Sequence, residues 1–407
     1  MTLSSHVANS EIILVTVRGP DGPGITARLT SIIAKSSDAR LLDIEQTVVH
    51  QKLILSFLLA FSSKADAQGS VLKDMLFSAK ELGVELTFEV FDQRWLRGGH
   101  GDHQYVVTCL GAEVGAYPLS RIAQALSARG VNIEKIGKLT RESLSCVELV
   151  IRAQHPLDHR RLSQELLGLS TELHVDIAIQ PANLARRAKR LIALDMDSTL
   201  IRTEVINELG RQARVERKIE RITESAMQGR RSFTRSLQER VRLLKGLSTA
   251  ALDQVYRRIQ LTSGAERLIR VLKHLGFKTA LISGGFTYFT DRFQERLGFD
   301  YAFANELEIK QGKLTGRVLG DILDGRRKAL LLRTIAQSEG ISLDQVVAVG
   351  DGANDLPMLT AAGLGIAFHA HERVRKKAGH GLSNQHGLDT ILYLLGISEK
   401  ELVGLKL

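Results

Sequence analysis

Leu191-Ile-Ala-Leu-Asp195-Met-Asp197-Ser-Thr199 decides how this chain is read. Four apolar residues in a row make a short strand buried on both faces, and two carboxylates follow at its C-terminal end. In an open parallel sheet that edge is where ligands bind. Alternation along an extended chain puts Asp195 and Asp197 on the same side. Burying one carboxylate is costly, and burying two is worse unless a cation or a shared proton compensates.

Two more segments repeat the construction. Lys278-Thr-Ala-Leu-Ile282 is an apolar strand running into Ser283-Gly284-Gly285, where a hydroxyl and glycine-freed amides make an anion cradle. Val346-Val-Ala-Val349 runs into Gly350-Asp351-Gly352-Ala353-Asn354-Asp355 and delivers two further carboxylates to the edge. Between them, Lys328 in Gly325-Arg326-Arg327-Lys328 offers a counter-charge for phosphate. Taken singly, each segment also reads as a helix cap, a turn or a solvated charge run. Their succession along one sheet edge favours chemistry. Strand and helix alternate from Leu191 onward, which predicts a doubly wound parallel sheet over residues 188–400. Residues 203–262 read instead as amphipathic helices, with apolar positions at Val205, Leu209, Ile219, Ile222, Met227, Leu237, Val241 and Leu244. A helical insertion there is expected to cap the sheet edge and exclude water.

Ahead of a break at Gln180–Arg190, two segments, residues 10–92 and 103–181, each read as β-α-β-β-α-β, the ferredoxin-like α+β order, over about 75 residues. In the second, a helix is expected over Asp158–Leu167 and a strand over Leu173–Ile179. The linker Asp92–Gly101 contains the single tryptophan, Trp95, read as an anchor packed between domains. The first unit carries Gly19-Pro20-Asp21-Gly22-Pro23-Gly24 between strand and helix, where glycine permits positive φ and Pro23 suits a helix start.

The 407 residues suffice for two or three domains, and 44% apolar with 25% charged residues is ordinary globular composition. The longest apolar stretch, Leu53–Phe61, is far shorter than the ~20 residues of a membrane helix. The opening MTLSSHVANSE lacks a secretion-signal pattern, and Cys109 and Cys146 alone make no disulfide framework, so a cytoplasmic protein without membrane contact is expected. Of 55 basic and 45 acidic residues, 18 and 20 fall in residues 1–182, leaving 37 and 25 for the remainder. That basic half shows no nucleic-acid-binding motif, and solvated helix faces with a phosphate site account for its charge.

The Asp195, Ser283, Lys328 and Asp351–Asp355 segments together resemble the haloacid dehalogenase superfamily, with D-x-D-x-T, strand-Ser, Lys and G-D-x-x-x-D in order. The resemblance implies Asp195 as nucleophile, Asp197 as general acid and base, and Mg²⁺ held by Asp195, the Asp197 carbonyl and Asp351, with Asp355 in support. It further implies Ser283, Gly284 and Lys328 on the phosphoryl oxygens and Asn354 orienting the neighbourhood. The paired β-α-β-β-α-β units, with Gly19, Asp21, Pro23 and Gly24 in the first, resemble ACT domains. That implies an amino-acid effector at the turn of Gly19, Asp21 and Gly24, and a homodimer. The second copy reads Gly111-Ala112-Glu113-Val114-Gly115 at this turn and lacks the pattern. Within the superfamily, D-M-D-S-T-L-I-x-T-E from Asp195 to Glu204, A-M-x-G-x-x-x-F from Ala226 to Phe233, and Ser236–Gly246 resemble the phosphoserine phosphatase family. This implies hydrolysis of O-phospho-L-serine, the last step of L-serine biosynthesis. Glu204 would then face the substrate ammonium, Arg240 its carboxylate, and Met227 with Phe233 would wall the pocket. A phosphatase or phosphotransferase for a related phosphorylated amino alcohol, and a non-catalytic amino-acid sensor, are the alternatives.

Overall fold

Period-two burial builds the first sheet: Ile13, Val15 and Val17 point inward along β1 (Glu11–Pro20), and Leu53, Leu55 and Phe57 along β3 (Lys52–Phe61). The computed structural model describes residues 10–61, 65–92, 103–143, 145–153, 155, 157–227, 232–378, 380–383 and 386–405. The linker tryptophan Trp95 lies outside them. The chain divides into two units, residues 1–100 and 101–407. In the first, β2 (Ala39–Val49), β3, β1 and β4 (Glu85–Val90) form an antiparallel sheet in that order. Helices Ile25–Lys35 and Ala65–Glu81 cover one face through Leu29, Ile33 and Met75. Gly24, at φ +94°, caps the first helix in a conformation that a side chain rarely adopts.

The second unit opens with the same arrangement. Here β6 (Val131–Lys138), β7 (Cys146–Ala153), β5 (Gln104–Leu110) and β8 (Asp176–Pro181) make an antiparallel sheet. The helix expected over Asp158–Leu167 runs instead from His159 to Leu173, and the following strand starts at Asp176. Gly168 does not stop the helix, because Leu169 and Leu173 beyond it still pack on the sheet. The stop is His174, at φ +53°.

A seven-stranded sheet follows, in the order β12 (Lys313–Leu319), β11 (Tyr301–Lys310), β10 (Lys278–Phe286), β9 (Leu191–Leu194), β13 (Val346–Gly350), β14 (Leu364–Phe368), β15 (Gly381–Leu382). All pairs are parallel except β11 with β12. The chain leaves β9 towards β10 and returns on its other side as β13, so β9 stands at a topological switch point. Leu191, Ile192, Ala193 and Leu194 are fully buried between helical layers. Helices Val205–Gln212, Glu216–Met227, Phe233–Leu243 and Thr249–Arg258 form the insertion after β9. No helix of the described residues is long and apolar enough to cross a membrane.

The second antiparallel sheet is docked on this parallel one. Leu110, Cys146 and Ala178 join the apolar cluster that contains Ile192 and Leu194. The Asp176 carboxylate accepts the Ser383 backbone N–H at 2.7 Å, and Gln180 Nε2 donates to the Leu394 carbonyl at 2.9 Å. Arg186, only 3% exposed, pairs with Glu148 across the same junction. Both cysteines are buried and unbridged, and burial pushes the Cys109 thiol up to about 12.

Removing one partner of a buried ion pair strands the other. Glu148→Ala is therefore expected to destabilise the 101–407 unit by about 3 kcal/mol, with Glu148→Leu/Arg186→Leu recovering much of the loss. Denaturant unfolding of the three proteins checks this, and equal losses would contradict it.

Candidate active site

Each strand that ends at this sheet edge hands over a polar side chain. In register, Leu194 of β9 faces Leu281 of β10 and Val349 of β13. Asp195 continues that pairing for one residue, its N–H donating to the Val349 carbonyl at 2.9 Å. The chain then turns sharply: Ser198 sits at φ +55°, and the Asp197 carboxylate accepts the Val205 N–H at 2.9 Å. A non-glycine residue in that conformation is strained, and such strain collects at functional turns. Glycine permits close approach across the edge. A Cβ on Gly350 would lie 2.5 Å from the Asp355 carboxyl carbon, and one on Gly284 would lie 2.9 Å from the Phe233 ring.

Asp195, Asp351 and Asp355 bring carboxylate oxygens within 4.8 Å of one another. The Lys328 ammonium lies 2.8 Å from Asp195 and 2.7 Å from Asp355, all three buried. One ammonium cannot neutralise three carboxylates, and the acids show it. Burial, and then Asp355 against the pull of Lys328, pushes Asp195 up to about 7. Burial, Asp355 and Asp195 hold Asp351 well above the ordinary carboxylate range. Burial would lower the Lys328 ammonium, but Asp195 and Asp355 hold it above its usual value. An all-oxygen cluster short of positive charge suits a hard divalent cation such as Mg²⁺.

Asp197 stands beside this cluster with its carboxyl raised far above the ordinary value, first by burial, then by Glu204 and by Asp195. Burial also raises Glu204, opposed by Arg240 and by the Ser198 hydroxyl, which donates to Glu204 at 3.3 Å. Arg240, 7% exposed, donates through Nε to the Ser236 carbonyl at 3.4 Å and through Nη1 to Thr223 Oγ1 at 3.3 Å.

Asp195, Asp197, Glu204, Phe233, Arg240, Gly284, Asp351 and Asn354 line a single cavity of about 1480 Å³. Ser283, Lys328 and Asp355 lie beneath it, fully buried. The side chain of Met227 falls outside the described residues. Gly19, Asp21 and Gly24 belong to the first unit. Sequence reasoning missed Ser198 and Thr223. Thr223 lies one helix before Arg240, and only packing of the two helices reveals the bond.

An open parallel sheet with D-x-D at its central strand end and a helical cap beside it defines a haloacid dehalogenase-like hydrolase. The model of that family matches residues 192–360, and ACT domain models match 11–89 and 103–180. The phosphoserine phosphatase of Streptomyces coelicolor is 40% identical over 98% of this chain and 95% of its own. That of Mycobacterium tuberculosis is 39% identical over 96% and 94%. A solved haloacid dehalogenase family hydrolase from Salmonella enterica serovar Typhi is 32% identical, over 72% of this chain and 98% of that one, with a TM-score of 0.62. The chain belongs to the phosphoserine phosphatase family.

The Thr223 bond predicts a selective loss. Thr223→Val is expected to raise KM about fivefold for a carboxylated phosphomonoester and to leave kcat near its original value, since one hydrogen bond to a charged group is removed. Thr223→Ser should restore it. Steady-state kinetics decide, and an unchanged KM in Thr223→Val would refute the role.

Proposed function

We propose that this protein hydrolyses O-phospho-L-serine to L-serine and phosphate, the last step of L-serine biosynthesis, through an aspartyl-phosphate on Asp195. The observation that carries the reading is that Glu204 and Arg240 line the same cavity as Asp195 and Asp197. A carboxylate and a guanidinium complement an ammonium and a carboxylate, the two charged groups of a serine moiety. Phe233 walls that pocket.

Asp195 attacks phosphorus, so a P–Oδ bond forms as the bond from phosphorus to the seryl oxygen breaks. Asp197 supplies the proton that the departing oxygen needs; burial, then Glu204 and Asp195, hold its carboxyl well above the ordinary value, which favours the protonated form over that of a free aspartate. Serine leaves. Water then attacks phosphorus while Asp197 takes its proton, and the P–Oδ bond breaks to free phosphate and Asp195. Ser283, Gly284 and Lys328 hold the phosphoryl oxygens, and Asn354 orients its surroundings. Asp195, the Asp197 carbonyl and Asp351, supported by Asp355, would hold Mg²⁺. When bound, the ion offsets the charge of carboxylate and phosphoryl oxygens brought together. Phe233 against Gly284 brings the cap onto the cradle and keeps water out.

The two ACT matches support regulation, with an amino acid bound at the turn of Gly19, Asp21 and Gly24 and a homodimer as the assembly. Two buried, unbridged cysteines suit the cytoplasm.

Asp195→Asn is expected to lower phosphate release from phosphoserine by at least about 10³-fold; near-normal turnover by that variant would refute the nucleophile. The raised carboxyls also give a pH signature. Asp195 keeps a proton that the unfolded chain loses near pH ~4, so its contribution to stability fades as pH climbs through about 7. Mg²⁺ requires these groups ionised. Its stabilising effect should thus be larger at pH 8 than at pH 6, read as the rise in melting temperature. Equal rises at both pH values would remove the carboxylate cluster as the ion's seat.

A further inference from the structure

The ladder between β10 and β11 is interrupted where it matters. Ala280, Leu281 and Ile282 pair with Tyr301, Ala302 and Phe303, and pairing resumes only at Phe286 with Asn305. The Ser283-Gly284-Gly285 turn bulges out of the sheet between them, so its carbonyls lose the partners a regular strand would supply. Buried carbonyls need donors. Asn305, only 2% exposed, provides them: its Nδ2 donates to the Gly284 carbonyl at 2.8 Å and to the Gly285 carbonyl at 3.2 Å.

The other end of the same amide is also used. Asn305 Oδ1 accepts the Leu323 N–H at 2.7 Å, immediately before Asp324, which caps the helix Gly325–Ser338. That helix carries Lys328. A single side chain therefore spans both segments assigned to the phosphoryl oxygens. The peptide group between Gly284 and Gly285 is planar. Its carbonyl rests on Asn305, while its N–H donates to Ser283 Oγ at 2.9 Å. Turning that plane would turn the Ser283 hydroxyl with it. Ser283 also faces the acids, since a Cβ on Gly285 would lie 3.0 Å from Ser283 Oγ and 2.8 Å from Asp197 Oδ2.

We propose that Asn305 is a positioning residue for catalysis: it stands in for the missing strand ladder and holds the 283–285 turn in the shape that receives the transferring phosphoryl group. This rests on the reading of Ser283 and Gly284 as the phosphoryl cradle. Donors fixed before the reaction act on the transition state more than on the ground state, so their misplacement lowers kcat rather than raising KM.

Asn305→Asp keeps the shape and the acceptor for Leu323 but removes both donations. It is expected to lower kcat for phosphoserine about thirtyfold, with KM within about threefold, and to weaken inhibition by orthovanadate in step with kcat. Ser283→Ala and the double variant complete a cycle. If Asn305 acts through the turn, the double variant falls no more than about threefold below Ser283→Ala. Losses that multiply, or a folded Asn305→Asp with kcat and vanadate inhibition intact, would overturn the proposal. Should the buried aspartate prevent folding, Asn305→Ser, too short to reach either carbonyl, takes its place in the same cycle. Ser283→Ala with unchanged kcat and vanadate inhibition would instead overturn the cradle reading itself.

Discussion

The Lys328 ammonium, buried between Asp195 and Asp355, is the contact on which the site depends. It allows carboxylates to be buried side by side, yet it leaves them short of positive charge. Asp195, Asp351 and Asp197 consequently sit above their ordinary protonation range. That imbalance is a cost to the resting fold, and it is of the kind a divalent cation offsets.

Around this edge the helical insertion and the sheet divide the work. The sheet presents Asp195 and Asp197 just past the end of β9, Asp351 just past the end of β13, and Ser283 in the irregular last part of β10. The insertion brings Phe233 and Arg240, while Glu204 stands where the two meet, at the start of the helix Val205–Gln212. Glycine at 284 and 350 lets the ring of Phe233 and the carboxylate of Asp355 come close to the backbone.

The second ferredoxin-like sheet is more than an appendage. Its Asp176 accepts the Ser383 N–H and lies 3.6 Å from His386, whose carbonyl contacts His369 Nε2 at 3.2 Å. His369 and His386 both line the catalytic cavity. A continuous run of polar contacts thus joins that sheet to the cavity wall.

Much of this was legible from residue order alone. An apolar strand followed by two acids, a strand followed by Ser-Gly-Gly, and a strand followed by Gly-Asp identify a parallel-sheet edge, because local hydrophobicity and turn chemistry act over a few residues. Helix ends were less legible, as Gly168 shows: packing of Leu169 and Leu173 overrides its preference. What only the tertiary structure decided was which groups share a proton, a charge or a hydrogen bond. Lys328 meets Asp355 across 27 positions, Arg240 meets Thr223 across 17, and Asn305 meets Gly284 across 21. Residue types say that such groups seek partners once buried; only the closed chain chooses among candidates so distant in sequence, because distance in space sets both the electrostatics and the hydrogen bonds.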